Sequence, residues 1–275
     1  MFHYFKKKKS DKLFNKGLKA LVSNDFGKAF SCFEKAVKID IYNGNAWVGM
    51  GSALVSICHD NSLANKYFDA ALKINPENNW ALLNKASYNN IGEAKESIKL
   101  YIKILEIEKR DGILESNPSI FCFIADTYLF LNEPEKAINC LIKALTYNST
   151  YVKVLADLGK AYNFLSDYEK AIYYFDKAID IFESKDDLSF IEKKYPITFS
   201  GKAVALFYLG NFEEALNLLN KALEVESNDL YSIYWKSKVL KCLDREKESE
   251  KFIQIIENEW DVDYIKSFEE VGLIY

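Results

Sequence analysis

The chain has 275 residues, 49% of them hydrophobic and 15% aromatic, with 36 basic and 40 acidic side chains for a net charge of −4. So much apolar surface excludes a disordered chain, and the near-balance of charge excludes nucleic-acid binding through bulk positive charge. No run of about 18 apolar residues exists, so no membrane span is expected. Five cysteines (Cys32, Cys58, Cys122, Cys140 and Cys242) include no Cys-x-x-Cys pair. That argues against a disulfide framework or a zinc site and for a reducing compartment, with the cytoplasm as the expected location. Cys32 and Cys140 each stand four residues before an alanine in matching stretches and read as small core residues.

Residues 1–9 read as a basic lead-in. Met1-Phe2-His3-Tyr4-Phe5 precedes Lys6 to Lys9, the reverse of the charge order of a secretory signal. Four lysines there read as a solvated segment, with an anchor for an anionic membrane or nucleic acid as the alternative.

From residue 10 onward a pattern recurs seven times. A first helical stretch carries a small residue. Eleven to thirteen residues later a second stretch carries a small, a bulky and a small residue at i, i+4 and i+7. That spacing sets all three on one helical face, where the small pair lets a neighbouring backbone approach and the bulky one fills the gap. The unit near 10–43 has Gly17 and then Ala29/Phe33/Ala36, and the unit near 44–78 has Gly51 and Ala64/Phe68/Ala71. The unit near 79–111 has Ala86 and Ser97/Tyr101/Ile104, with one residue fewer between its helices. Next come 118–151 with Ala125 and Ala137/Leu141/Ala144, and 152–185 with Gly159 and Ala171/Phe175/Ala178. The last two are 196–229 with Ala203 and Ala215/Leu219/Ala222, and 230–263 with Ser237 and Ser249/Ile253/Ile256. Between units the chain inserts residues near Asp111–Asn117 and Ser184–Tyr195. The segment 264–275, with Ile265, Phe268 and Val271 on one stripe, is expected to cap the last hairpin. Pro76, Pro118 and Pro196 fall between units and Pro134 at the start of a second helix, so no proline interrupts an apolar stripe.

The fifth unit reads Leu155-x-x-Leu158-Gly159-x-x-Tyr162 and then Ala171 and Phe175, and Trp47-x-x-Met50-Gly51-x-x-Leu54 is similar. These strings, in register near a period of about 34 residues, resemble the tetratricopeptide repeat consensus. The resemblance implies an all-α fold, a right-handed superhelical solenoid of antiparallel helix pairs running as one stack over 10–263.

Catalytic and metal-binding patterns are not found, and no cofactor is expected. Cys58-His59-Asp60 reads as a turn after a helix, because a nucleophile and its base normally converge from separated segments. Gly49-x-Gly51 lies inside a helical pattern with no strand before it, unlike a phosphate loop. Asp261 and Asp263 lack the glycine and the closing glutamate of a calcium loop. The reading is a protein-binding scaffold rather than an enzyme.

In the family resembled, partners bind a groove built from the first helices. Carried onto this sequence, the groove of the later units presents Lys153, Lys160, Asn163, Phe164, Tyr208, Tyr231, Tyr234 and Lys238. The expected partner is a peptide or helix of another protein, with apolar anchors for the aromatic side chains and acidic flanks for the lysines. The lysine and asparagine pair that some family members use to clamp a free carboxylate has no match here. An RNA-binding helical-repeat protein and a self-assembling array are the alternatives. Residues 1–40 carry ten lysines against four acids, and 244–275 carry ten acids against four bases, so head-to-tail self-association is open as well.

Overall fold

The structure is a computed structural model that describes residues 2–89, 91–113, 118–184 and 196–259. The expected cap at 264–275 and most of the second insertion lie outside the described residues. Every described regular element is helical. Seven helix pairs follow in chain order: α1 (Phe2–Val22) with α2 (Phe26–Ile39), α3 (Gly44–Cys58) with α4 (Asn61–Ile74), and α5 (Asn79–Ser87) with α6 (Ala94–Arg110). Then come α7 (Ile120–Phe130) with α8 (Pro134–Leu145), α9 (Val152–Phe164) with α10 (Tyr168–Ser184), α11 (Ile197–Tyr208) with α12 (Phe212–Val225), and α13 (Leu230–Cys242) with α14 (Glu246–Glu259). The chain divides into two compact units, Met1–Ile113 and Leu114–Tyr275, and the division falls in the first insertion. Residues 6–9, read as a lead-in, lie within α1.

The recurring triplet is the core. Twenty of its twenty-one side chains are buried, and only Ile253 of the last helix is half-buried. The bulky member enters between two first helices, and the glycines show how tightly. A Cβ on Gly17 would stand 2.5 Å from the Phe33 ring, and one on Gly49 would stand 2.7 Å from its far side. Phe175 is held the same way between Gly159 and Gly201, at 2.7 and 2.3 Å. Gly49 and Gly201 therefore serve the ring of the preceding pair. Only a residue without a side chain admits a phenylalanine at such distances.

The turns inside the pairs share a backbone device. Asn24, His59, Asn132, Ser166, Gly210 and Asp244 each stand five residues before the first triplet member, and each has φ between 52° and 80°. A left-handed residue there ends the first helix and turns the chain into the second. His59 is one of these, with Asp60 beside it capping the Leu63 amide at 2.8 Å, so Cys58-His59-Asp60 is a turn, as its spacing suggests. In the third pair a 3₁₀ turn, Ile91–Glu93, takes this place, consistent with its shorter connection.

Within each unit the pairs follow one another, second helix against next first helix, and successive first helices touch: α1 with α3, α3 with α5, α7 with α9, α9 with α11, and α11 with α13. That row of first helices lines the candidate site.

Candidate functional site

In the second unit the first helices α9, α11 and α13 enclose a cavity of about 490 Å³. Lys160, Asn163 and Phe164 reach it from α9, Gly201, Val204 and Tyr208 from α11, and Tyr231 and Trp235 from α13, with Asn132, Ser166 and Tyr168 at its rim. The 3.6-residue period explains the choice. Lys160 stands three and four residues before Asn163 and Phe164, and Gly201, Val204 and Tyr208 are spaced three and four apart, so each set shares one helix face.

The aromatic wall is continuous. Tyr208 stacks on Tyr168 with ring centroids 4.9 Å apart and planes 8° from parallel. It also meets the edge of Trp235 at 5.8 Å, and Trp235 meets Tyr231 at 6.3 Å. Tyr208 remains 54% exposed, so a large aromatic face is presented rather than used up in the core. Burial, and Asp229 next to it, push the Tyr231 phenol well above its ordinary pKa, keeping it neutral as a hydrogen-bond donor. Asn163 donates from Nδ2 to the Gly201 carbonyl at 2.8 Å, which fixes its side-chain plane. Its Oδ1 is buried and meets no donor among the described residues.

Of the eight residues expected from sequence, the structure gathers Lys160, Asn163, Phe164, Tyr208 and Tyr231 in this cavity. Lys153, Tyr234 and Lys238 are not part of its lining. Tyr234 is 5% exposed and packs edge-on against Trp235, and Lys238 lies over the Tyr234 ring at 5.4 Å. Trp235, Tyr168, Asn132 and Ser166 were missed. One signal for Trp235 was available: it occupies the place two before the small residue of its helix, which is glycine at 49 and 201, where the preceding bulky residue is Phe. The preceding bulky residue here is the smaller Leu219, and a large side chain takes the place.

The lysines differ from expectation. Lys160 pairs with Asp126 at 2.7 Å, and Lys153 with the buried Asp157 at 3.1 Å. Burial by itself lowers the Lys160 pKa, but Asp126 and Asp157 outweigh it and hold the ammonium above its ordinary value. Both cations thus already face carboxylates, and the support they lent to an acidic ligand falls away. Cys122, beside Asp157, has its thiol pushed well up by burial and then by that carboxylate, and Cys140 is pushed up to about 12 by burial. Low-pKa nucleophilic character is absent from both.

In the first unit the corresponding row of first helices carries aromatic contacts of its own. Phe14 of α1 lies 5.7 Å from the Phe33 ring and 6.1 Å from Trp80 of α5. Three of the seven units match the tetratricopeptide repeat family, at residues 118–151, 152–185 and 200–229. The chain contains tetratricopeptide repeats.

Two curated relatives carry the same kind of sequence. TPR repeat-containing protein MJ1428 of Methanocaldococcus jannaschii is 23% identical over 238 residues, covering 83% of this chain and 40% of that protein. Anaphase-promoting complex subunit 3 of Schizosaccharomyces pombe is 27% identical over 156 residues, covering 56% and 22%. The chain therefore spans two fifths or less of the length of these relatives. A solved tetratricopeptide repeat protein from Parabacteroides merdae superposes with a TM-score of 0.69 at 18% identity, covering 96% of this chain and 98% of that one, a likeness of fold. Tetratricopeptide repeats generally mediate protein–protein interactions and are generally non-catalytic. No described helix is long and apolar enough to cross a membrane.

Proposed function

We propose that the chain is a protein-binding scaffold whose α9/α11/α13 cavity holds an extended or helical peptide segment of a partner through apolar or aromatic anchor side chains. The observation that carries this is the pairing of an exposed aromatic wall, Tyr208 on Tyr168 beside Trp235, with the unpartnered Oδ1 of Asn163. An aromatic ring gives wide contact at low entropic cost. A buried carbonyl oxygen lacking a donor gains most when a ligand amide supplies one. The Asp126–Lys160 pair makes the floor locally neutral, which favours uncharged anchors over the acidic flanks first expected. One relative, anaphase-promoting complex subunit 3, is by name a subunit of a complex, in keeping with this class of function.

The test is selection of peptides from a displayed random library on the full chain, followed by titration of the winners against variants. Tyr208→Ser should weaken binding by about 2 kcal/mol or more, and Asn163→Ala should weaken it while leaving folding intact. A library that enriches nothing, or winners indifferent to both substitutions, removes this cavity from consideration.

A further inference from the structure

A second surface lies far from this cavity in sequence, on α1. Its 21 residues include seven lysines and a single acid, Asp11. Successive residues turn about 100° around a helix, so Lys8, Lys9, Lys12, Lys16 and Lys19 fall within an arc of about 100°. Along the axis they span about 16 Å at about 1.5 Å per residue. All five are exposed, and none forms an ion pair among the described residues. The opposite face is buried and fixed. Ser10 donates to the Ala36 carbonyl at 2.9 Å and accepts from Asn43 at 2.9 Å, and Gly17 is pressed against the Phe33 ring. The helix therefore cannot roll, and its basic face is held outward.

Apolar side chains stand at both ends of that face. Tyr4 and Phe5, edge to face at 6.0 Å, are 64% and 60% exposed, and Val22, eighteen residues or five turns beyond Tyr4, is 88% exposed. A soluble helix gains nothing by leaving two adjacent aromatic rings in water.

We propose that the outer face of α1 is a docking surface for an anionic lipid bilayer, on which the helix lies flat. Lysine ammonium groups meet headgroup phosphates and carboxylates across one plane, and Tyr4 and Phe5 enter the headgroup–acyl boundary. A planar surface contacts all five lysines together. Aromatic rings prefer the membrane interface, which sets a bilayer apart from duplex nucleic acid as the partner, because a duplex offers phosphates without an apolar layer. The net charge of −4 on the whole chain makes the contact orientation-specific, since this face is strongly basic over several turns. The surface is separate from the peptide cavity and does not depend on that reading.

Flotation of the full chain with phosphatidylcholine vesicles, with and without phosphatidylserine, tests this at low and high salt. Binding is expected only with phosphatidylserine, and it should fall more than tenfold with added salt or in the variant carrying Lys12→Glu, Lys16→Glu and Lys19→Glu. A Phe5→Trp chain should show a blue-shifted emission on binding, and a Tyr4→Ser, Phe5→Ser chain should bind several-fold more weakly with its lysines unchanged. Circular dichroism melts of each variant show whether the fold survives. No binding to phosphatidylserine vesicles at low salt overturns the proposal, as does equal binding by the charge-reversed chain. If instead the lysine reversal abolishes binding to duplex DNA or self-association while vesicles are ignored, the surface belongs to those partners and the lipid assignment is wrong.

Discussion

At the scale of single residues, space and backbone conformation decide which positions tolerate change. Gly210 has φ of 80° and nothing within 4 Å of where a Cβ would stand. Gly210→Ala therefore measures backbone strain without a packing term, and urea unfolding should show a loss of about 1 kcal/mol. Gly17→Ala adds a clash with Phe33, and the same experiment should show a loss of about 1–3 kcal/mol. Glu108 offers a pH test. Burial raises its pKa, and its Oε2 is buried with no partner among the described residues. A raised carboxyl pKa in the fold means that stability is lost as pH rises from the ordinary carboxylate range through the raised value. Glu108→Gln should then raise the melting temperature at neutral pH, with the gain vanishing in acid below the ordinary carboxylate pKa. A gain of equal size at both pH values would contradict this. These residue-level facts were only half legible. Gly17, Gly51 and Gly159 stood out by their period, whereas the second contacts of the Phe33 and Phe175 rings, through Gly49 and Gly201, come from the following pair.

At the scale of the element, the helices were legible because each triplet states which face is buried, and that face packs the same way in pair after pair. The turns were less so. Asn24, His59, Asn132, Ser166, Gly210 and Asp244 share a left-handed conformation but not a residue type, since asparagine, aspartate and, at some cost, histidine and serine can take it without glycine. The site divided along the same line. Placing Lys160, Asn163 and Tyr208 on the groove face followed from the groove positions that the resemblance implies for each first helix. Recognising that Lys160 and Lys153 are paired needed Asp126 from the neighbouring helix and the buried Asp157. Tyr234 sits one residue away from Trp235 on α13, and a rotation of about 100° turns it away from the cavity that Trp235 lines. The Lys153–Asp157 pair gives an element-level prediction. Asp157→Ala leaves the half-buried Lys153 ammonium without that carboxylate and should cost about 2 kcal/mol in chemical denaturation, whereas Tyr208→Ser, at an exposed ring, should cost about 1 kcal/mol or less.

At the scale of the whole molecule, the division at Ile113 and Leu114 was visible in the sequence only as an insertion between repeats. Repeat stability is a sum of local terms and nearest-neighbour contacts, so a long enough run of pairs needs nothing beyond itself to fold. A fragment of residues 114–275 should give a strongly helical circular dichroism spectrum and a cooperative melt. Phe175→Ala, which empties the space between Gly159 and Gly201, should destabilise that fragment by about 3–5 kcal/mol. A fragment that is unfolded on its own would show that the later repeats depend on the earlier ones.

The central claim is that partners are held in the cavity of α9, α11 and α13, and photo-crosslinking tests it most directly. A library-selected peptide, carrying a photoreactive group in place of its strongest anchor, is irradiated with the full chain and the adducts are located by mass spectrometry. Adducts should fall on Phe164, Tyr208, Tyr231 and their cavity neighbours, and an excess of unmodified peptide should suppress them. Adducts confined to the second helices, or to the first unit, would contradict the account.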